Sequence, residues 1–194
     1  MRKILIVGAG QAGLQLALSL QAEGYDVTMM SARTPDEIRN GWPTSTQMMM
    51  YRALDRERDV KLNLWDGSAT PTTGIGDVVA VNDPISGQGA NNAAHAAGIY
   101  LKAILDRGDA PFTPQWMQQT FDEYWAHAQN SVMLTQMMLE PLPEHAQQVL
   151  GAASQYQEIA DRFAEVFPNP ATIHDFLVDP AKAAAYVQSV AAAH

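Results

Sequence analysis

The sequence predicts an α/β domain with a small parallel sheet, followed by a region that is entirely α-helical. An apolar run over residues 3–7 ends at Gly8, which is typical of a buried parallel strand. A helical pattern then leads to a second strand over 25–30, so that the three segments form a βαβ unit. Beyond residue 110 only helical patterns follow. We therefore expect one domain over residues 1–110 and a helical extension over 111–194.

The individual elements follow from caps and breakers along the chain. Gly24 is expected to end the first helix as its C-cap, and residues 34–37 have the composition of a loop. The first helix is expected to present an apolar face made of Leu14, Leu16, Ala17, Leu18 and Leu20. Beyond the loop, the sequence predicts a helix from Thr44 or Ser45 to about Arg58, a third strand near 77–81, and helices over about 90–105, 114–139, 144–165, 171–176 and 180–192.

Charge and composition argue against several classes of function. The 194 residues include 12 Lys and Arg against 21 Asp and Glu, a net charge of −9, which disfavours binding to nucleic acid or to an anionic membrane surface. No apolar run reaches the roughly 18 residues that a membrane span needs. Because cysteine is absent, the chain has no disulfide and no thiolate metal site. We therefore expect a cytoplasmic protein with no nucleic-acid or membrane partner.

A glycine-rich motif joins the first strand to the first helix, which is the context of a dinucleotide fingerprint. Its residues are Gly8, Ala9, Gly10, Gln11, Ala12 and Gly13. Gly8 permits a tight turn, Gly10 permits close approach of a pyrophosphate, and Gly13 permits close packing of the helix on the strand. The N–H groups at the helix N-terminus attract phosphate. The motif predicts a Rossmann-like GxGxxG domain that binds a dinucleotide.

The end of the second strand bears on which dinucleotide is bound. Many dinucleotide-binding domains place an acid there to hold a ribose, whereas this chain has Ser31, Ala32 and Arg33. Arg33 is compatible with a 2′-phosphate, and hence with NADP, or with a guanidinium packed on an adenine ring. It is also compatible with a solvated loop. On these residues alone, all three interpretations stay open.

A second glycine-rich segment is more specific. Gly76 and Asp77 precede Pro84, after which a helix opens on Gly87, Gln88, Gly89, Ala90 and Asn91. This pattern resembles the second flavin fingerprint of the FAD-dependent aromatic hydroxylase superfamily. The resemblance implies that FAD is the cofactor, that Asp77 hydrogen-bonds its ribityl or ribose portion, and that Pro84 and residues 87–91 lie against the isoalloxazine. Arg52 lies on a predicted helix that runs beside FAD in that superfamily, where it either reaches the pyrophosphate or is solvated.

Longer stretches narrow the resemblance. Residues 6–14, 32–37 and 82–92, together with Trp125 and the Phe-Pro-Asn-Pro segment over 167–170, look like the styrene and indole monooxygenases. In that group the oxygenase receives reduced FAD from a separate reductase and epoxidises a vinyl-aromatic or indole substrate. An absent acid after the second strand is normal there, which favours FAD over NADP. The resemblance covers about 1–65 and 70–194, and it implies FAD and a flavin reductase as partners.

The same resemblance implies that a substrate domain is missing. Members of the group are much longer and carry a β-sheet domain where this chain has only residues 66–74. The tripeptide over 66–68 looks like an engineered splice, although a natural deletion or a fragment stays open. We therefore expect FAD binding, little or no epoxidation, flavin oxidase-like turnover, and homodimerisation through uncovered apolar surface. The alternatives are an active two-component monooxygenase and an NADP-binding or non-enzymatic interaction module.

No side chain is singled out as catalytic or metal-binding. The five histidines, at positions 95, 127, 145, 174 and 194, lack metal-ligand spacing, and no nucleophile–base pattern is evident. We expect these histidines to be structural, and of the five only His95 is expected on the flavin-facing helix. The prediction is therefore a cofactor site with no assigned catalytic or metal-binding residue.

Overall fold

The computed structural model describes residues 3–41 and 83–194. The elements in chain order are β1 (Lys3–Val7), α1 (Gln11–Ala22), β2 (Asp26–Met30), α2 (Pro35–Asn40), α3 (Gln88–Arg107), α4 (Pro114–Leu139), α5 (Glu144–Ala153), α6 (Gln157–Glu165), α7 (Ile173–Phe176) and α8 (Pro180–Ala191). Short 3₁₀ turns at Pro84–Ser86 and Pro170–Thr172 precede α3 and α7. None of these helices is long and apolar enough to cross a membrane. The predicted helix over 44–58 and the predicted third strand lie outside the described residues.

Strands β1 and β2 pair in parallel, as the βαβ pattern predicts. The register runs from Lys3 opposite Asp26 to Val7 opposite Met30. Alternate residues of β1 point to opposite faces of the sheet. On one face Ile6 is buried in a cluster that also contains Leu20 and Ile104, whereas Val7 is 64% exposed on the other face. Within the described residues, helices therefore cover a single face of the sheet.

Helix α1 buries a different set of residues from the predicted apolar face. Leu18 is 46% exposed, whereas Gln15 and Ser19 are buried. The helix packs against both the sheet and α3, so more than one side of it is covered. The Ser19 hydroxyl donates to the carbonyl of Gln15 at 2.8 Å, which lets a polar side chain lie in the interior. The prediction was wrong for Leu18 because tertiary packing, rather than the spacing of leucines, selects the buried sides.

The stretch after β2 forms a helix where the sequence predicts a loop. The Thr34 hydroxyl accepts the backbone N–H of Glu37 at 3.2 Å, and the Glu37 carboxylate accepts the backbone N–H of Thr34 at 2.7 Å. This reciprocal capping box, with Pro35 in the first turn, begins α2. The Glu37 carboxylate accepts from both the Thr34 N–H and the Thr34 hydroxyl, and these two bonds hold the pKa of Glu37 below its ordinary value. The loop prediction was wrong because these bonds satisfy the first N–H groups of a short helix.

The helical extension has a hydrophobic core of its own. Its largest fully buried side chains include Phe176, Ile159 and Val149, to which α4 adds Leu134. The predicted helix over 114–139 is confirmed, whereas the predicted helix over 144–165 is divided into α5 and α6. The Ser154 hydroxyl donates to the carbonyl of Gly151 at 2.7 Å, just where α5 ends. The turn that follows lets both α5 and α6 bury apolar residues in one core.

Candidate functional site

The first glycine-rich motif lies at the carboxyl end of β1. Gly8 has a φ of 111°, which favours glycine, and its N–H donates to the carbonyl of Met30 at 2.8 Å. Gly10 is the N-cap of α1 in extended conformation, and no side chain caps this helix. The turn therefore ties the ends of both strands together and begins α1 directly above them. The N-terminal N–H groups of α1 point to this edge of the sheet, where anions bind in many α/β folds.

A cleft of about 770 Å³ opens beside this turn. Ala9 lines it from the glycine turn, Ser31, Ala32 and Arg33 line it from the end of β2, and Arg39 lines it from α2. The structure thus brings together the first motif and the three residues that follow the second strand. Arg39 is a further lining residue that was not predicted from the sequence, because residues 34–37 were predicted to form a loop and no helix was expected there.

The charge of this cleft is positive along the described part of its wall. Arg33 and Arg39 contribute guanidinium groups, and no acidic residue is among its described lining residues. The Ser31 hydroxyl accepts the backbone N–H of Arg33 at 3.2 Å, which orients the turn after β2. The two acids of α2, Asp36 and Glu37, do not line the cleft, and the Glu37 carboxylate is directed to Thr34 in the capping box. The cleft is therefore suited to a nucleotide that carries phosphate.

The second glycine-rich segment begins with a capped turn. The Asp83 carboxylate accepts the backbone N–H of Ile85 at 2.9 Å, and Pro84 starts the 3₁₀ turn. Gly87 then adopts a left-handed conformation with φ 63° and forms the N-cap of α3. No side chain caps α3 from that position. Like α1, this helix begins at a glycine, and the N–H groups of its first turn point into the space in front of its N-terminus.

The side chains of this segment are not all directed to one place. The Asn91 amide donates to the carbonyl of Gly87 at 2.8 Å, and the Gln88 amide donates to the carbonyl of Phe167 at 2.8 Å. Gln88 and Ala90 are both buried. A Cβ built on Gly89, by contrast, meets no atom of the described residues within 4 Å. A ligand in front of α3 would therefore meet backbone groups and the open side of Gly89, rather than the Gln88 side chain.

The residues that α1 and α3 bring to shared surfaces run in the same order along both helices, as in a parallel pair. Near the start of α1, Ala12 lines a second, apolar cleft together with Ala96 of α3, and near its end Leu20 shares a hydrophobic cluster with Ile104. In a parallel pair in which Ala12 lies level with Ala96 and Leu20 lies level with Ile104, α3 begins further forward than α1. At a rise of 1.5 Å per residue, the start of α3 lies about 10 Å beyond the start of α1. A ligand that reaches both N-termini must therefore be elongated, with polar groups separated by about that distance.

Three predicted cofactor residues, Arg52, Gly76 and Asp77, lie outside the described residues. Those that the structure does describe fall into two groups. One group lies around the cleft and the start of α1, and the other lies in the turn before α3 and its first turn. The donor set fits FAD, because two helix N-termini without side-chain caps can face its pyrophosphate and the pyrimidine edge of its isoalloxazine.

One arrangement was not predicted from the sequence. The rings of His95 on α3 and His127 on α4 lie with their centroids 4.1 Å apart. The residues are far apart in the sequence, so no spacing rule signals the pair. Within the part of the chain that is described, no group of three His, Asp or Glu residues is placed to hold a metal ion.

Comparison with known proteins gives a partial relationship. No protein-family profile matches the chain. Styrene monooxygenase StyA of Pseudomonas fluorescens is 34% identical over 112 residues, which cover 54% of this chain and 27% of that protein. Styrene monooxygenase StyA of a further Pseudomonas species matches with the same identity and coverage. The chain spans about a quarter of the length of these curated relatives. Over about half of its own length, it is therefore related in sequence to styrene monooxygenases.

Proposed function

We propose that this chain contains the FAD-binding part of a protein related to the flavin monooxygenases. The observation that carries the proposal is the pair of parallel helices, α1 and α3, both of which begin at a glycine without a side-chain cap. Their N-termini are offset by about 10 Å along one direction. FAD is an elongated dinucleotide with an anionic pyrophosphate near its middle and, at one end, a ring system whose pyrimidine edge carries hydrogen-bond acceptors, so it can meet both N-termini at once.

Different groups of residues are assigned to different parts of the cofactor. The cleft beside Ser31, Ala32 and Arg33 accepts the adenosine portion, and the start of α1 faces the pyrophosphate. The first turn of α3 faces the pyrimidine edge of the isoalloxazine. Its positive dipole end favours negative charge at that edge and so favours the reduced cofactor. By the resemblance noted from the sequence, Asp77, which follows Gly76, is assigned to the ribityl or ribose portion, and Arg52 is assigned to a helix beside FAD from which it either reaches the pyrophosphate or is solvated.

Bound FAD supplies oxygen chemistry once a separate reductase has reduced it. The residues described here bind and orient the cofactor, and among them we assign no catalytic group. We further propose that efficient epoxidation requires a substrate domain that shields the flavin from water, in keeping with the greater length of the relatives. With an open flavin face, reduced cofactor is expected to yield hydrogen peroxide.

NADP is the second candidate ligand, because Arg33 and Arg39 both line the cleft. Two guanidinium groups in a cleft without a described acid can hold a 2′-phosphate. This alternative leaves the start of α3 without a role, since the nicotinamide ring is cationic when oxidised and neutral when reduced and so offers no negative charge to a helix N-terminus. We therefore favour FAD.

Thermal unfolding in the presence of each ligand separates the two candidates. At a ligand concentration of about 100 times the Kd, a ligand that binds only the folded chain stabilises it by about 2.7 kcal/mol. For a chain of this size, that corresponds to a rise in Tm of about 5–10 °C. We expect FAD to produce such a rise and NADP⁺ to produce none. A rise with NADP⁺ and none with FAD would reverse the assignment.

A further inference from the structure

The turn before α3 is fastened to the helical extension by buried hydrogen bonds. The hydroxyls of Ser86 and Thr135 lie 2.6 Å apart, and the Ser131 hydroxyl donates to the Asn92 side-chain carbonyl at 2.8 Å. Both contacts join the segment over 86–92 to α4. Each of these four side chains is at least 95% buried. Water therefore does not compete for the bonds, which makes their loss costly.

The direction of the Ser86–Thr135 bond follows from proton counting. A hydroxyl carries one proton, and Thr135 donates to the carbonyl of Ser131 at 2.8 Å. We therefore take Ser86 as the donor of its bond to Thr135, since its other acceptor, the carbonyl of Asp83, is more distant at 3.3 Å. The Thr135 oxygen is consequently the group that fixes the side chain of Ser86, one residue before the N-cap glycine of α3.

A further contact holds the first residue of α3. The Gln88 amide donates to the carbonyl of Phe167 at 2.8 Å, and the Phe167 side chain packs against the core of the helical extension. The residues on either side of Gly87 are thus both anchored to groups outside the α/β unit. Gly87, in its left-handed conformation, lies between two fixed points.

We propose that the helical extension positions the flavin-facing end of the cofactor site, and that Thr135 is its main positioning residue. This inference rests on the proposed function, because it takes the first turn of α3 to be where the isoalloxazine binds. Thr135 does not touch the cofactor in this account. It holds Ser86, and through Ser86 it sets the direction of the N–H groups that begin α3.

The test uses the full chain and a matched set of threonine variants. Thr135→Val removes the hydroxyl and keeps the shape, whereas Thr135→Ser keeps the hydroxyl. Thr120→Val is the control, because Thr120 is a buried threonine of the same helix whose hydroxyl, among the described residues, donates within α4, to the carbonyl of Trp116 at 3.0 Å. FAD affinity is measured by titration, together with the visible absorption spectrum of the bound flavin.

We expect Thr135→Val to raise the Kd for FAD about tenfold and to shift the flavin spectrum, with Thr135→Ser and Thr120→Val within about twofold of the parent chain. Equal affinities for Thr135→Val and the parent, or equal losses for Thr135→Val and Thr120→Val, would overturn the inference. If Thr135→Val does not fold, Ser86→Ala takes its place, because it removes the other hydroxyl of the same contact, and unchanged affinity in that variant would overturn the inference too. A parent chain that binds no FAD contradicts the proposed function itself, which is a different result.

Discussion

Replacement of Gly89 by leucine is expected to raise the Kd for FAD about 100-fold, a loss of about 2.7 kcal/mol. The new side chain starts at a position in the first turn of α3 where a Cβ meets no atom within 4 Å in the part of the chain that the structure describes. In our account the space around that position belongs to the isoalloxazine. The fold itself is expected to tolerate the change, since leucine is favoured over glycine in a helix by about 0.8 kcal/mol.

Gly151→Leu is the matched control for this variant. Gly151 is also a helical glycine whose Cβ would meet no atom within 4 Å, but it lies on α5, in the helical extension. Both variants should retain the parent Tm or exceed it, and Gly151→Leu should bind FAD as the parent does. If Gly89→Leu also binds FAD with parental affinity, the first turn of α3 does not face the flavin.

Replacement of Phe176 by alanine is expected to lower the free energy of unfolding by about 3–5 kcal/mol. Phe176 is 1% exposed and belongs to the core shared by α4, α5, α6 and α8. The centroid of the Phe176 ring lies 5.3 Å from that of the Tyr186 ring, and the Cζ atom of the Arg162 guanidinium lies 5.6 Å from the Phe176 centroid. Alanine leaves a cavity and removes the contacts of the Phe176 ring with Tyr186 and with Arg162. Chemical denaturation monitored by circular dichroism measures the loss.

Phe176→Leu is the control, because leucine restores most of the apolar volume. We expect it to lose much less stability than the alanine variant. A loss below about 1 kcal/mol for Phe176→Ala would mean that the helical extension has no tightly packed core at this position. That result would also weaken the view that Phe167, in the same core, provides a fixed carbonyl for Gln88.

The fold could be predicted where local signals were strong. The apolar run of β1 and the glycines beside it place the βαβ unit, and the predicted start of a long helix at residue 114 agrees with α4 as the structure has it. Helix α2 was missed although Thr34 and Glu37 stand at capping-box spacing, so this signal was present in the sequence. The exposure of Leu18 could not be predicted, because it depends on how α1 lies between the sheet and α3.

The candidate site was predictable in part for the same reason. Glycines at tight turns can be recognised in the sequence, and Gly8 and Gly87 both have positive φ angles. The hydrogen-bond partners of Ser86 and Gln88 cannot be recognised in this way, because Thr135 and Phe167 lie 49 and 79 residues away along the chain. Nothing in the second glycine-rich segment indicates that its polar side chains turn toward the helical extension. Such contacts arise only when α3 and α4 pack.

The central claim is that this chain binds FAD, and titration of the purified chain with FAD tests it most directly. The visible absorption band of the flavin is followed during the titration, and the protein is then separated from free flavin by gel filtration. We expect a saturable change in the band and flavin that stays with the protein in about equal molar amount. An unchanged band, with colourless protein after gel filtration, would contradict the account.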